Sequence, residues 1–149
     1  MTHKNKFATR LNSFKSNWYS SQKPTVRDLI KRASKAKGLT HVDLNFPDHS
    51  EPSLIDIAKI TNDSGLSING LAMRYYTNPS FKLGAFTNPN KKVRQEAIDL
   101  TKKAIDGLRE INSNLLTIWL GQDGFDYGFQ VDYKKIWNNE IQALKEIAE

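Results

Sequence analysis

The sequence predicts an α/β fold in which four parallel strands alternate with four helices. Short apolar segments typical of buried strands alternate along the chain with longer segments whose apolar residues recur at helical spacing. Glycine or proline ends several of these segments, as at Gly38, Pro47 and Gly65. Because each segment between two strands is long enough to form a helix, the strands are expected to be parallel and joined by right-handed crossovers.

The first half of the chain contains two strand and helix pairs. Thr25 can cap the first helix because Asp28 stands at its third position, and Gly38 ends that helix. The second strand ends before Pro47, and Ser53 can cap the second helix. The predicted elements are a strand at 7–14, a helix at 25–37, a strand at 39–46 and a helix that begins after Ser53 and ends at Gly65.

The second half repeats this order around a long loop. The loop "TNPSFKLGAFTNPN" is rich in proline, asparagine and glycine, and loops of this length in compact domains are often functional. Val93, Ala97, Ala104 and Leu108 lie on one side of the long helix that follows. The predicted elements are a strand at 66–76, a helix at 90–112, a strand at 115–120 and a helix at 132–149.

Polar and aromatic side chains collect where three of the predicted strands end. They occupy residues 45–49, 74–78 and 119–127. Ligands of parallel α/β folds bind at the carboxyl ends of the strands, because helices cover the other surfaces. Amide, guanidinium and carboxylate groups can bond to hydroxyls, while aromatic faces pack against C–H groups. We therefore expect a pocket for a polyhydroxylated ligand.

Each candidate residue also has a structural interpretation. His49 and Asp48 are weak candidates for acid–base catalysis, since histidine titrates near neutral pH, and the alternative is a loop histidine that caps the next helix. Arg74 either binds an anionic group or pairs with an acid such as Asp43. Trp119 either forms a wall of the pocket or plugs the end of the sheet.

Composition and charge limit the classes of function. The chain has 149 residues, a length typical of one domain, and its lack of cysteine is typical of the cytoplasm. No apolar run approaches the about 18 residues of a membrane span. The net charge of +6 comes from residues spread along the chain, which favours solvated helix faces over nucleic-acid binding. We expect a cytoplasmic protein with neither membrane nor nucleic acid as partner, and no metal-binding motif is visible.

One stretch of the chain resembles xylose isomerases and their sugar-isomerase relatives. It consists of "YTNPSFKLGAFTNPNKKVRQEAI" and then "LLTIWLGQDG", and the same residue types occur in the same order in that family. The resemblance implies the N-terminal half of a (β/α)8 TIM barrel, in which residues 1–149 form a single partial domain of four strand and helix units. The matching residues are Thr77, Pro79, Phe81, Lys82, Gly84, Ala85, Phe86, Thr87, Val93, Arg94, Trp119, Gly121, Asp123 and Gly124.

The resemblance also implies roles for individual residues. Trp119 is expected to form the apolar wall of a sugar pocket. The family's ring-opening histidine falls on Asn45, and its partner aspartate falls near Asp48. His49 could take the role of that histidine only if its loop brings the side chain to the same position. The family's asparagine and phenylalanine on the third strand become Arg74 and Tyr76, which makes the pocket more polar. The residues expected to contact the sugar are Trp119, Asn45, Arg74, Tyr76, Phe86 and Asp123.

The activity implied for a complete barrel is aldose–ketose isomerisation of a small sugar. In the family this reaction is a hydride shift polarised by a divalent metal such as Mn, Mg or Co. The family's metal ligands come from strands five to eight, so this chain is expected to hold no cofactor and to be inactive alone. A half barrel has two open edges, and we therefore expect a homo-oligomer. The alternative is a non-catalytic remnant, or a carbohydrate-binding or interaction module that self-associates.

Overall fold

The computed structural model describes residues 5–16, 23–121, 125 and 127–149. In these residues four strands alternate with four helices, and the strands form one parallel sheet in the order β1-β2-β3-β4. The predicted α/β fold is therefore confirmed. The strands are β1 (Ala8–Arg10), β2 (His41–Phe46), β3 (Ser67–Met73) and β4 (Leu116–Thr117). The helices are α1 (Val26–Ala33), α2 (Leu54–Asp63), α3 (Lys91–Glu110) and α4 (Tyr133–Ala148).

Several predicted elements are shorter in the structure. The first strand ends at Arg10, and Leu11–Phe14 forms a 3-10 helix that still buries Leu11 completely. Alternating apolar residues indicate burial, and a 3-10 turn can provide that burial as well as a strand can. The third strand stops at Met73, because Tyr75–Thr77 forms another 3-10 turn. The fourth strand contains only Leu116–Thr117.

The first helix also ends early, at Ala33. Beyond it the backbone hydrogen bonds span three residues instead of four. The Lys35 N–H donates to the Arg32 carbonyl, and the Ala36 N–H donates to the Ala33 carbonyl. Gly38 then takes the left-handed conformation, with φ of 88°. The glycine therefore ends the whole turn region, and the helix itself stops several residues before it.

Both predicted helix caps are present. The Thr25 hydroxyl accepts a bond of 3.2 Å from the Asp28 backbone N–H, and the Asp28 carboxylate accepts one of 2.9 Å from the Thr25 N–H. Ser53 caps α2 by accepting a bond from the Asp56 N–H. The Thr25 side chain, and then its backbone, lower the pKa of Asp28. Because the folded-state pKa is the lower one, this stabilisation is complete above the ordinary carboxyl pKa and disappears as the pH falls.

The described chain divides into two compact units. The first comprises Met1–Ala72 and Asp106–Thr117, and the second comprises Met73–Ile105 and Ile118–Glu149. The first unit contains the sheet with α1 and α2, whose apolar sides are buried. Its fully buried side chains include Leu11, Leu29, Ile30, Val42, Leu44, Ile57 and Leu71.

A glycine controls the approach of β3 to β4 in the first unit. A Cβ atom at Gly70 would lie 2.5 Å from the Leu115 carbonyl oxygen, which accepts a bond of 3.0 Å from the Leu71 N–H. The Ser113 hydroxyl donates to the Asn69 carbonyl at 2.7 Å and joins the same two segments. The strands pair in parallel with Ala72 opposite Thr117. This pairing therefore requires a residue without a side chain at position 70.

The second unit has an aromatic core. Tyr75 is buried, its ring contacts those of Phe81 and Phe86 edge to face at 5.9 and 5.3 Å, and its hydroxyl lies 2.6 Å from that of Thr101. Thr101 lies on α3, so this bond joins the loop after β3 to that helix. The long loop therefore packs its aromatic residues inward, as a core of the second unit.

Polar contacts attach α4 to α3. The Glu146 carboxylate accepts a bond of 3.0 Å from the Gln95 amide and one of 3.3 Å from the Lys102 ammonium. The amide and then the ammonium lower the pKa of Glu146. Ala143, one turn before Glu146, is buried. Among the described residues, no helix is both long and apolar enough to cross a membrane.

Candidate functional site

The register of the sheet sets the position of three candidate residues in the second unit. Ala72 lies opposite Thr117 in the β3–β4 pair. Arg74 and Trp119 each follow two residues later, beyond the ends of these strands, and both belong to the second unit. The 3-10 turn after β3 directs Tyr75 into the core and leaves Tyr76 half-buried. Arg74, Tyr76 and Trp119 form what we call the Arg74 cluster.

The two rings of the Arg74 cluster hold its guanidinium group. The guanidinium carbon lies 4.3 Å from the centre of the Tyr76 ring and 5.7 Å from that of Trp119. The rings meet edge to face, with their centres 5.3 Å apart and their planes at 78°. These distances are within the range of cation–π and aromatic attraction, so the three side chains fix one another.

Trp119 remains accessible within this cluster. Its side chain is 45% exposed, whereas Arg74 and Tyr76 are half-buried. A residue that plugs the end of a sheet would be buried, so the exposure favours the alternative in which Trp119 forms a wall. An indole that is held in place and 45% exposed suits the C–H face of a ligand.

Gly121 leaves room for the Tyr76 ring, which lies close to the backbone at this position. Its φ is +71°, a conformation that favours glycine, and a Cβ atom there would lie 2.8 Å from Cδ1 of Tyr76. From the sequence, this glycine indicates a sharp turn or a close approach of the backbone to a ligand. In the structure the group that approaches the backbone is an aromatic ring of the cluster, a contact that no sequence pattern indicated.

Asn45 and His49 form a separate arrangement in the first unit, at the end of β2. The His49 N–H donates to the Asn45 carbonyl at 2.8 Å, and Nδ1 of His49 accepts a bond of 3.1 Å from the Asn45 N–H. A ring nitrogen that accepts a bond carries no proton, so the neutral imidazole has its proton on Nε2. Both residues are buried. The sequence offered His49 as a possible cap of α2, and in the structure the Ser53 side chain caps that helix. These two bonds of His49 are instead with Asn45, at the end of the preceding strand.

The carboxamide of Asn45 is a buried polar group that needs an explanation. Asn45 is 1% exposed, and among the described residues neither its Oδ1 nor its Nδ2 has a hydrogen-bond partner. An unsatisfied buried amide costs about 1–3 kcal/mol, and such groups are rare in native proteins. Their presence at a strand end is typical of a functional group whose partner is a ligand or water.

We expect Asn45→Leu to preserve or raise the free energy of unfolding, by about 1 kcal/mol at most. Leucine has a similar shape and removes the cost of burying an unpaired amide. Urea unfolding followed by circular dichroism measures this change. His49→Leu serves as the matched control, because it removes the acceptor of the Asn45 N–H and should destabilise the protein. A clear loss of stability in Asn45→Leu would mean that the amide has a structural partner.

The other predicted site residues lie in different surroundings. Asp48 is half-buried beside His49, and Phe86 is completely buried against Tyr75. Asp43, the proposed structural partner of Arg74, accepts a bond of 2.7 Å from the Asn69 amide within the first unit. Asp123 lies outside the described residues. The roles predicted for Asp48, Phe86 and Asp123 stay predictions.

The described part of the chain does not provide a metal site. No group of three or more His, Asp or Glu side chains that could hold a metal ion occurs in the residues that the structure describes. These residues therefore do not fit the divalent metal that the resemblance implies for a complete barrel.

Comparisons with known proteins agree with this architecture. The chain is 27% identical to xylose isomerase from Thermus thermophilus over 90 residues, which is 60% of this chain and 23% of that protein. No family model matches the sequence. A structure of D-psicose 3-epimerase with D-tagatose from Clostridium cellulolyticum H10 matches 97% of this chain and 47% of its own, with 14% identity and a TM-score of 0.66.

Two further structures show the same fold. D-psicose 3-epimerase in the presence of D-fructose has a TM-score of 0.68 at 16% identity, and again 97% of this chain covers 47% of that one. L-ribulose 3-epimerase has a TM-score of 0.62 at 17% identity, with 95% and 44% covered. The chain resembles the xylose isomerase-like TIM barrels. It spans about half the length of these epimerases, which confirms the predicted half-barrel fold.

Proposed function

We propose that this chain carries the substrate-binding residues of a xylose isomerase-like sugar isomerase or epimerase. The observation that supports this most is the Arg74 cluster just beyond the carboxyl ends of β3 and β4. Substrates of TIM-barrel enzymes bind at that end of the strands. The half-exposed indole of Trp119 would pack against the C–H face of a sugar, and the N–H groups of Arg74 would bind its oxygens.

The complete reaction is proposed to need more than these residues. Aldose–ketose isomerisation in a complete barrel would depend on a divalent metal such as Mn, Mg or Co. No group of three or more His, Asp or Glu side chains that could hold a metal occurs among the described residues, and we propose that the described residues bind and orient the sugar. We expect no turnover from the isolated chain, and strand and helix units beyond these four would have to supply the metal ligands.

Sugar binding can be tested on the chain itself by tryptophan fluorescence. The chain contains three tryptophans, so the variants Trp137→Phe and Trp119→Phe assign the signal. Titration with D-fructose or D-tagatose at millimolar concentrations should give a saturable change that persists in Trp137→Phe and disappears in Trp119→Phe. Absence of any saturable change, confirmed by calorimetry, would overturn the proposal.

A second candidate function is a non-catalytic module that self-associates. Four apolar side chains of α4 recur at helical spacing on one exposed side, an arrangement typical of a contact between chains. They are Tyr133, Trp137, Ile141 and Leu144, which are 49%, 67%, 36% and 41% exposed. Sedimentation of the chain and of Trp137→Glu tests this: a dimer that the substitution dissociates favours self-association, and a monomer at all concentrations contradicts it.

A further inference from the structure

We propose that the phenol hydroxyl of Tyr76 is a specificity-determining group, which bonds to one hydroxyl of a sugar packed against Trp119. This inference rests on the proposed function, because it names the sugar group that one residue of the same site would recognise. The ring and the hydroxyl of Tyr76 have different surroundings, and that difference supports the assignment.

The ring of Tyr76 is accounted for by its contacts within the cluster. The guanidinium carbon of Arg74 lies 4.3 Å from the ring centre, and the Trp119 ring meets it edge to face with the centres 5.3 Å apart. A Cβ atom at Gly121 would lie 2.8 Å from Cδ1 of this ring. Each of these contacts uses the ring alone. A phenylalanine would make them equally well, so they do not explain the hydroxyl group.

The neighbouring tyrosine shows how this chain uses a structural phenol. Tyr75 is 1% exposed, and its hydroxyl lies 2.6 Å from that of Thr101, so the core satisfies it. Tyr76 is half-buried, and no hydrogen bond joins its hydroxyl to another group in the part of the chain that the structure describes. This hydroxyl is not one of the described polar atoms that are buried without a partner, so it reaches the surface. A ligand can therefore bond to it.

The position of the Tyr76 hydroxyl suits a sugar. A sugar ring that packs its C–H face on an indole directs its hydroxyls outward around the perimeter of that face. Because the centres of the Tyr76 and Trp119 rings are 5.3 Å apart, the phenol stands beside the indole, where such a hydroxyl would lie. A phenol both donates and accepts a hydrogen bond, as a sugar hydroxyl does. The two groups are therefore matched partners for one neutral hydrogen bond.

Isothermal titration calorimetry with D-fructose tests the assignment. Tyr76→Phe removes only the hydroxyl, and it should weaken binding about fivefold, the size expected for one hydrogen bond between neutral groups. A series of D-fructose derivatives, each lacking one hydroxyl, then identifies the partner. For one derivative the native chain should lose the same factor, and Tyr76→Phe should bind that derivative as tightly as the native chain does.

Matched variants separate the hydroxyl from the ring and from the fold. Tyr133→Phe removes an exposed phenol hydroxyl from α4 and should leave the affinity for every sugar unchanged. Tyr75→Phe removes the bond to Thr101 and should lower the midpoint of thermal unfolding measured by circular dichroism, whereas Tyr76→Phe should not lower it. Tyr76→Leu removes the aromatic ring as well and should weaken the binding of all sugars in the series.

The outcomes separate this inference from the proposed function. If D-fructose binds Tyr76→Phe as tightly as it binds the native chain, the inference is overturned and sugar binding stands. An equal loss of affinity for every derivative in Tyr76→Phe, or a marked loss of its stability, also overturns the inference, because the hydroxyl then acts through the fold. If D-fructose does not bind the native chain, both are overturned.

Discussion

Trp119→Ala is expected to weaken the binding of D-fructose or D-tagatose to this chain about 30-fold, which corresponds to ~2 kcal/mol. The indole is the most exposed side chain of the Arg74 cluster, and it supplies the apolar face against which a sugar would pack. Its removal also frees one side of Arg74 and Tyr76, which the ring holds at present. Isothermal titration calorimetry of the native and variant chains measures the change.

Two further variants make this result specific. Trp119→Phe keeps a smaller aromatic face and should lose less affinity than Trp119→Ala. Trp137→Ala removes an even more exposed indole from α4 and should leave sugar affinity unchanged. If Trp119→Ala binds as the native chain does, Trp119 is not part of the sugar site, whatever its effect on stability.

Gly70→Ala is expected to lower the free energy of unfolding by about 3 kcal/mol, the upper part of the range for overpacked positions. The added Cβ would lie 2.5 Å from the Leu115 carbonyl oxygen and 3.0 Å from its Cβ. One of these atoms belongs to the backbone and cannot rotate away, so β3 and β4 would have to separate and weaken the Leu71 to Leu115 bond. Urea unfolding followed by circular dichroism measures the loss.

The matched control for this substitution is Gly128→Ala. No atom lies within 4 Å of a Cβ at Gly128, so the change should stay within about 0.5 kcal/mol of the native chain. Equal stability of the two variants would contradict the close approach of β3 and β4.

The sequence determined the features that depend on neighbouring residues. Apolar spacing and turn residues were sufficient for the strand and helix order, because burial of one side of a helix or strand repeats with its own period. The caps at Thr25 and Ser53 followed from residues within one turn. Element ends were less certain, as at Leu11–Phe14, because an apolar pattern does not distinguish a strand from a 3-10 turn.

The resemblance identified candidate residues, and their arrangement was decided by the tertiary structure. Arg74 and Trp119 are far apart in the chain, and they meet because the β3–β4 register places Ala72 opposite Thr117. His49 turns back to Asn45 through backbone and side-chain bonds that depend on the shape of one turn. Phe86 belongs to the stretch that matches the family, yet it packs inside the second unit. Local periodicity contains no information on strand register or on which of two apolar partners a ring contacts, because these depend on packing between distant segments.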